Sequence, residues 1–179
     1  MRIVIEGTKL SGKSTLANLF REKFRTSTLL QYRAYFEVGR ARYQISKNIH
    51  DRMRALSTFI RSIPDDDLIM LRGHLFLFAI AEATNQKLNC KFETIERLFK
   101  DSRLVVVLLT INQTVFEQRL ALRLESGRKV RDWDKKWENV SAVQNAYLSF
   151  FEKSIMKKYI FDSTKLSPDS ILNQIAGDI

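Results

Sequence analysis

The stretch Gly7-Thr8-Lys9-Leu10-Ser11-Gly12-Lys13-Ser14 matches the spacing G-x-x-x-x-G-K-[ST] at every fixed position, with a further hydroxyl at Thr15. Glycines at these positions let the backbone curl so that successive N–H groups point into one anion-binding hollow, capped by the N-terminus of the next helix. A triphosphate tail fits such a hollow. Lys13 would reach its β- and γ-phosphates as a point charge, and the Ser14 hydroxyl would take one coordination site of Mg²⁺. The bland alternative is an ordinary turn between a strand and a helix. The flanks favour the phosphate loop: Ile3-Val4-Ile5 upstream is a run of β-formers, and Leu16, Leu19, Phe20 and Phe24 downstream recur at helical spacing.

A second set of residues could handle charge. Arg33 follows the short apolar stretch 27–32, and Arg72 follows Leu68-Ile69-Met70-Leu71. Both stretches read as strands, and loops at the carboxyl ends of parallel strands are where open α/β sheets hold ligands. Tyr35 and Phe36 follow the same strand end as Arg33 and could stack on a base there. Further on, Arg119 and Arg123 stand four residues apart on one face of a helix over 114–125, which runs into the basic segment Ser126-Gly127-Arg128-Lys129-Val130-Arg131. Helix, arginine-bearing loop and helix is the layout of a lid, spanning about 124–135.

These residues are positioned by an alternation of strands and helices. Apolar runs at 3–5, 27–32, 68–71, 104–109 and 158–161 read as five strands, with helical periodicity between them, and a closing helix starts at Ser167-Pro168-Asp169. The alternation predicts a parallel sheet with right-handed crossovers and helices on both faces. Leu75 to Ala81 is apolar all round and is expected as a buried helix; Trp133, Trp137, Val140, Tyr147 and Phe151 form a stripe, broken at Gln144, on a helix expected to start near Asp134.

At 179 residues the chain is expected to form one domain over 1–179, and 45% hydrophobic content excludes a disordered chain. No apolar run approaches the length of a membrane span and no signal peptide precedes the first strand, so the expected location is cytoplasmic, without a membrane partner. The single Cys90 has neither a disulfide partner nor a zinc ligand spacing, and is expected to be packing. The net charge of +10 fits a cluster of cations around polyphosphate, solvated helix faces, or a nucleic-acid partner. Nucleic acid is the second choice, because no recognised binding motif accompanies the charge. His50 reads as structural; His74, just after Arg72, divides evenly between a structural and a site role.

Taken together, the residues resemble the P-loop nucleoside monophosphate kinases, and within them the thymidylate kinase-like group. The likeness rests on Ile5-Glu6-Gly7 with the loop that follows, on Leu68 to His74, on Glu117-Gln118-Arg119 through Arg131 with Trp137-Glu138 and Tyr147-Leu148, and on Ile160-Phe161-Asp162-Ser163. It implies a three-layer P-loop kinase fold, a five-stranded parallel sheet with an arginine-bearing lid, and ATP with Mg²⁺ as phosphoryl donor. It implies that Arg33 and Arg72 grip the phosphate of an acceptor nucleotide, that Arg119 lies against the donor adenine, and that Arg123, Arg128 or Arg131 comes down onto the transferring phosphoryl. Homodimers are frequent in the group and are an expectation for this chain by likeness alone.

Two positions depart from the group. Leu71 stands where an aspartate helps hold hydrated Mg²⁺, so a metal site would depend on Ser14, phosphates and water, or borrow Glu6, Asp67 or Glu37. Lys9 stands where thymidylate kinases carry an aspartate that contacts the sugar, and a lysine cannot accept that hydrogen bond. The readings left open are transfer to a nucleoside monophosphate, first among them; transfer to a nucleoside, with Glu37 as base, or to a hydroxyl of DNA or RNA; and nucleotide binding without catalysis.

Overall fold

The runs 3–5, 68–71 and 105–109 become strands whose apolar side chains are buried on both faces of the sheet. A computed structural model describes residues 2–24, 28–31, 49–62 and 68–178. Within them β1 is Arg2–Gly7, β2 Thr28–Gln31, β3 Leu68–Leu71, β4 Val105–Thr110 and β5 Lys157–Asp162. All pairings are parallel, and the spatial order is β2-β3-β1-β4-β5. The helices are α1 Lys13–Phe24, α2 Ile49–Ser62, α3 His74–Ala83, α4 Phe92–Phe99, α5 Gln113–Glu125, α6 Trp137–Lys153 and α7 Pro168–Gly177.

The period of two along the strands sorts the core onto both faces of the sheet. Val4, Met70, Val106 and Leu108 pack with α2, α3, α4 and α6 on one face, through residues such as Met53, Phe78, Phe99 and Tyr147. Ile3, Ile5, Ile69, Leu71, Val105, Val107 and Leu109 pack with Leu16, Phe20, Ile171 and Ile175 of α1 and α7 on the other. The order of strands makes β1 the switch point, since the chain leaves to β3 on one side and to β4 on the other. Ligand crevices in such sheets open at the carboxyl ends of the strands beside that point. There lie the loop after Gly7, Arg72 after β3, and Ser163 after β5.

In the helical stripe Trp133 differs from the sequence reading, and the expected break at Gln144 has a structural reason. Trp133 lies in a short 3₁₀ turn, Asp132–Lys135, and is 37% exposed, while α6 starts at Trp137, whose ring packs 5.5 Å from that of Phe116. Gln144 interrupts the stripe because its amide satisfies backbone groups, accepting from Ile111 N at 2.9 Å and donating to Ile111 O at 3.1 Å.

Candidate functional site

The loop between β1 and α1 takes the curled form its glycines permit. Gly7 has φ +135° and Gly12 φ +92°, conformations that side chains rarely adopt. At Gly7 a Cβ would lie 2.4 Å from Leu109 O and 2.8 Å from Ser11 Oγ. Gly7→Ala is therefore expected to destabilise the fold by about 2 kcal/mol or more and to abolish nucleotide binding. Urea unfolding reads the first effect, and an unchanged midpoint would contradict this packing. The helix that follows carries no acidic residue in its first turn, leaving the positive end of its dipole to an anion.

Lys13 is buried, with its ammonium donating to Thr8 O and to Ser11 Oγ at 3.3 Å. Burial, and after it the charge of Arg72, pushes its pKa well below the ordinary lysine value. Glu6 and Asp134 act the other way. An arriving polyphosphate would supply the counter-charge that the folded chain only partly provides.

On one side of Lys13 opens a cavity of about 500 Å³, lined by Leu10, Gly12, Lys13, Ser14, Thr15, Arg119, Arg123, Arg128 and Pro168. Ser14 and Thr15 present exposed hydroxyl-bearing side chains to it. Arg119 is clamped across the loop, its guanidinium donating to Leu10 O at 2.8 Å and Ser163 O at 2.9 Å. The Arg123 Nε atom is buried without a hydrogen-bond partner among the described residues, as is Thr8 Oγ1. Buried polar atoms without partners are rare in folded proteins, and these two flank the loop.

On the other side of the loop a smaller cavity is lined by Gly7, Thr8, Lys9, Arg72, Phe76, Ile80, Trp133, Asp134, Val140, Val143 and Tyr147. Arg72 sits there on a left-handed backbone, φ 66°, which costs a non-glycine residue about 1 kcal/mol or more. Its surroundings hold it: its N–H donates to Ile5 O at 3.0 Å, and its guanidinium lies 4.5 Å from the centre of the Phe76 ring. Next to it, Gly73 N–H donates to Glu6 Oε1 at 2.7 Å, and the Tyr147 hydroxyl donates to Glu6 Oε2 at 3.1 Å. Burial raises the Glu6 pKa, opposed by the charges of His74 and Arg72 and by these two hydrogen bonds. Tyr147 is pushed well above the ordinary phenol value by burial and by Glu6, so it remains a neutral donor.

The structure thus places Leu10, Gly12 to Thr15, Arg119, Arg123 and Arg128 around the larger cavity and Gly7, Thr8, Lys9 and Arg72 around the smaller, with Ser11 buried in the loop they share. Arg131 is exposed and lines neither cavity; its carbonyl accepts Asp134 N–H at 2.9 Å. Arg33, Tyr35, Phe36, Glu37 and Asp67 lie outside the described residues. Leu71 is 8% exposed and packs among Ile5, Leu16 and Phe20, an apolar site that takes no part in holding a cation. His74 is fully buried, its Nε2 bonded to Glu96 Oε1 and its ring stacked 4.9 Å from Phe99, which makes it a core residue. Sequence reasoning missed Asp134, Phe76 and Tyr147 as site residues. Only Asp134 had a local signal, an acid within a basic segment.

No family model matches the sequence, and no curated protein matches it significantly. Solved structures do match. The YorR protein from Bacillus subtilis, in complex with phosphorylated GDP, superposes with a TM-score of 0.70 at 16% identity over 99% of this chain and 94% of its own. This chain shares its fold with solved kinases of nucleotides and nucleosides. Thymidylate kinase from Candida albicans superposes with a TM-score of 0.62 at 19% identity, over 99% of this chain and 89% of that one. Deoxyadenosine kinase from M. mycoides with bound dATP also gives 0.62, at 14% identity, over 99% and 98%. Among the described residues no helix is long and apolar enough to cross a membrane.

Proposed function

We propose that the protein is a nucleotide kinase that moves the γ-phosphoryl group of ATP onto a nucleoside monophosphate, with a deoxynucleotide as the expected acceptor. The observation that carries this reading is a loop shared by two cavities, with Lys13, Arg119, Arg123 and Arg128 lining the larger and Arg72 the smaller. The solved relatives include enzymes named for thymidylate and deoxyadenosine, which supports a nucleotide or nucleoside acceptor.

The triphosphate tail of the donor occupies the larger cavity, under the loop N–H groups and the dipole of α1, with Arg123 and Arg128 above it. Arg119, fixed to Leu10 O and Ser163 O, forms the wall toward the adenine. The acceptor phosphate lies on the other side, against Arg72. Transfer breaks the bond from the γ-phosphorus to the β,γ-bridging oxygen and forms one to an acceptor phosphate oxygen. An anionic acceptor needs no general base. Catalysis then rests on alignment and on cations placed where oxygens gather charge, the roles given to Lys13, Arg72, Arg128 and Arg131. Arg131 is exposed in the structure and would have to move to contribute.

Mg²⁺ fits on the terms the donor set allows. The exposed Ser14 hydroxyl is the first candidate protein ligand in the larger cavity, with Thr15 beside it, and Leu71 offers none, so a cation there would keep phosphate oxygens and water for its remaining positions. Bound in that way it would neutralise β- and γ-phosphate charge.

Purified protein with Mg²⁺ and ATP, offered a panel of ribo- and deoxynucleoside monophosphates, is expected to form at least one diphosphate. Chromatographic resolution of the products reads the result. Silence with every monophosphate, alongside transfer to a nucleoside or to DNA, would replace this reading with one of the other acceptors.

A further inference from the structure

The larger cavity is roofed by a segment that is strongly basic, and it lies over a loop that is itself basic. Arg123, Arg128, Lys129 and Arg131 all lie between the last turn of α5 and the 3₁₀ turn. Lys9 and Lys13 lie below them in the loop. Without a counter-charge these groups repel. One acid reaches across: Lys9 Nζ donates to Asp134 Oδ2 at 2.9 Å, and the two side chains are only 26% and 19% exposed. The neighbouring acid, Asp132, is spent locally on Lys135 at 2.8 Å.

The turn that bears Asp134 is tied to what precedes and follows it. Asp134 N–H donates to Arg131 O at 2.9 Å, and Asn139 of α6 donates to Trp133 O at 2.8 Å. At its other end the segment continues from α5, where Arg128 N–H donates to Arg123 O at 3.2 Å. Arg128 is thereby suspended between α5 and a turn pinned to the phosphate loop. Its height above Lys13 and Ser14 depends on both supports.

We propose that Asp134 is a positioning residue that docks the arginine-bearing segment onto the phosphate loop through Lys9. The pair lines the smaller cavity while Arg128 lines the larger, so it acts on the alignment of Arg128 through the segment that joins them. The inference rests on the kinase reading for its kinetic consequence. The docking itself is a property of the fold and can be read separately.

The test is a charge swap. Lys9→Asp and Asp134→Lys, each alone, place like charges together and are expected to lower kcat/KM by about 10²-fold, the cost of a catalytic group misplaced by about 1 Å. The double variant restores an opposite pair and is expected to recover to within about fivefold of the parent, as coupled sites do in a double-mutant cycle. Asp134→Asn serves as a milder variant should a reversal fail to fold, and is expected to lie between the parent and the reversals. Amide hydrogen exchange over 126–136 reads docking without catalysis: faster in each single variant, restored in the double. If the parent phosphorylates no acceptor, the kinase reading falls and the exchange measurement still decides the docking. Single variants with unchanged exchange, or a double variant no better than either single, would overturn the proposal. A Lys9 that acted only as a direct phosphate contact would give the second of these results.

Discussion

Lys13→Ala is expected to lower phosphoryl transfer by about 10³-fold or more, while the apo variant remains at least as stable as its parent. The first effect follows from position. Lys13 is a buried cation lining the larger cavity, where the proposed transfer would bring the γ-phosphate oxygens. The second follows from linkage. Burial lowers the lysine's pKa in the folded state, so the charged form costs stability below its unfolded value, and this cost fades as pH rises toward that value. Alanine removes the cost at neutral pH. The same substitution should abolish the rise in thermal midpoint that saturating ATP gives the parent, because a ligand stabilises only the state that binds it. Initial rates and thermal melts with and without ATP check both halves. A variant that keeps more than about a tenth of the parent rate would remove Lys13 from the transferring step.

The largest expected effect on stability lies away from the crevice. Glu96 is 2% exposed and accepts from Ser154 Oγ and Ile155 N–H, each at 3.0 Å, while bonding to His74 Nε2. It links the start of α3 and the middle of α4 to the junction between α6 and β5. Glu96→Ala would leave a buried imidazole and a backbone N–H without their partner, and is expected to cost about 3–5 kcal/mol in urea unfolding. Burial works against the charge of Glu96, but the hydrogen bond and charge of His74, with the bonds from Ile155 and Ser154, overcome it and lower the pKa. A carboxylate with a depressed folded pKa contributes stability that is present above the ordinary carboxylate range and lost as pH falls through and below it. Parent and variant should therefore converge in stability in acid. A cost under about 1 kcal/mol at neutral pH would show that the cluster is not a strut.

The two buried carboxylates on the α3 side of the sheet carry opposite signs for the same physical reason. Glu6 accepts from one N–H and one hydroxyl, and desolvation wins. Glu96 has a histidine in direct contact in addition to two donors, and its partners win. Glu6 lines neither cavity but holds the Gly73 backbone beside Arg72.

How much of this could be read from the chain depends on the distance over which each feature is encoded. The phosphate loop was legible because its chemistry is local: glycines, lysine and hydroxyl lie within Gly7 to Ser14, and Gly7 and Gly12 take the positive φ that their type allows. Strands β1, β3 and β4 were legible because burial on both faces leaves uninterrupted apolar runs, and the positions of Arg72 and Arg119 followed from the elements that carry them. Trp133 was misplaced because it sits at helical spacing from Trp137, yet the helix starts only after the 3₁₀ turn.

What the chain does not spell out is pairing between residues far apart in sequence. His74 gave no sign of its partner Glu96, which lies 22 residues away on another helix. Tyr147 finds Glu6 across 141 positions, and Lys9 finds Asp134 across 125. No periodicity or motif encodes such contacts, because they are produced when α3, α4 and α6 pack on the sheet and the turn before α6 closes over the loop. The sequence by itself determined that a loop with the spacing of a phosphate-binding motif follows the first strand of an α/β chain and that arginines stand at the strand end after β3 and in the α5 segment. Tertiary packing alone decided that Lys9 meets a carboxylate rather than standing free, that Leu71 is core, and that His74 belongs to the interior.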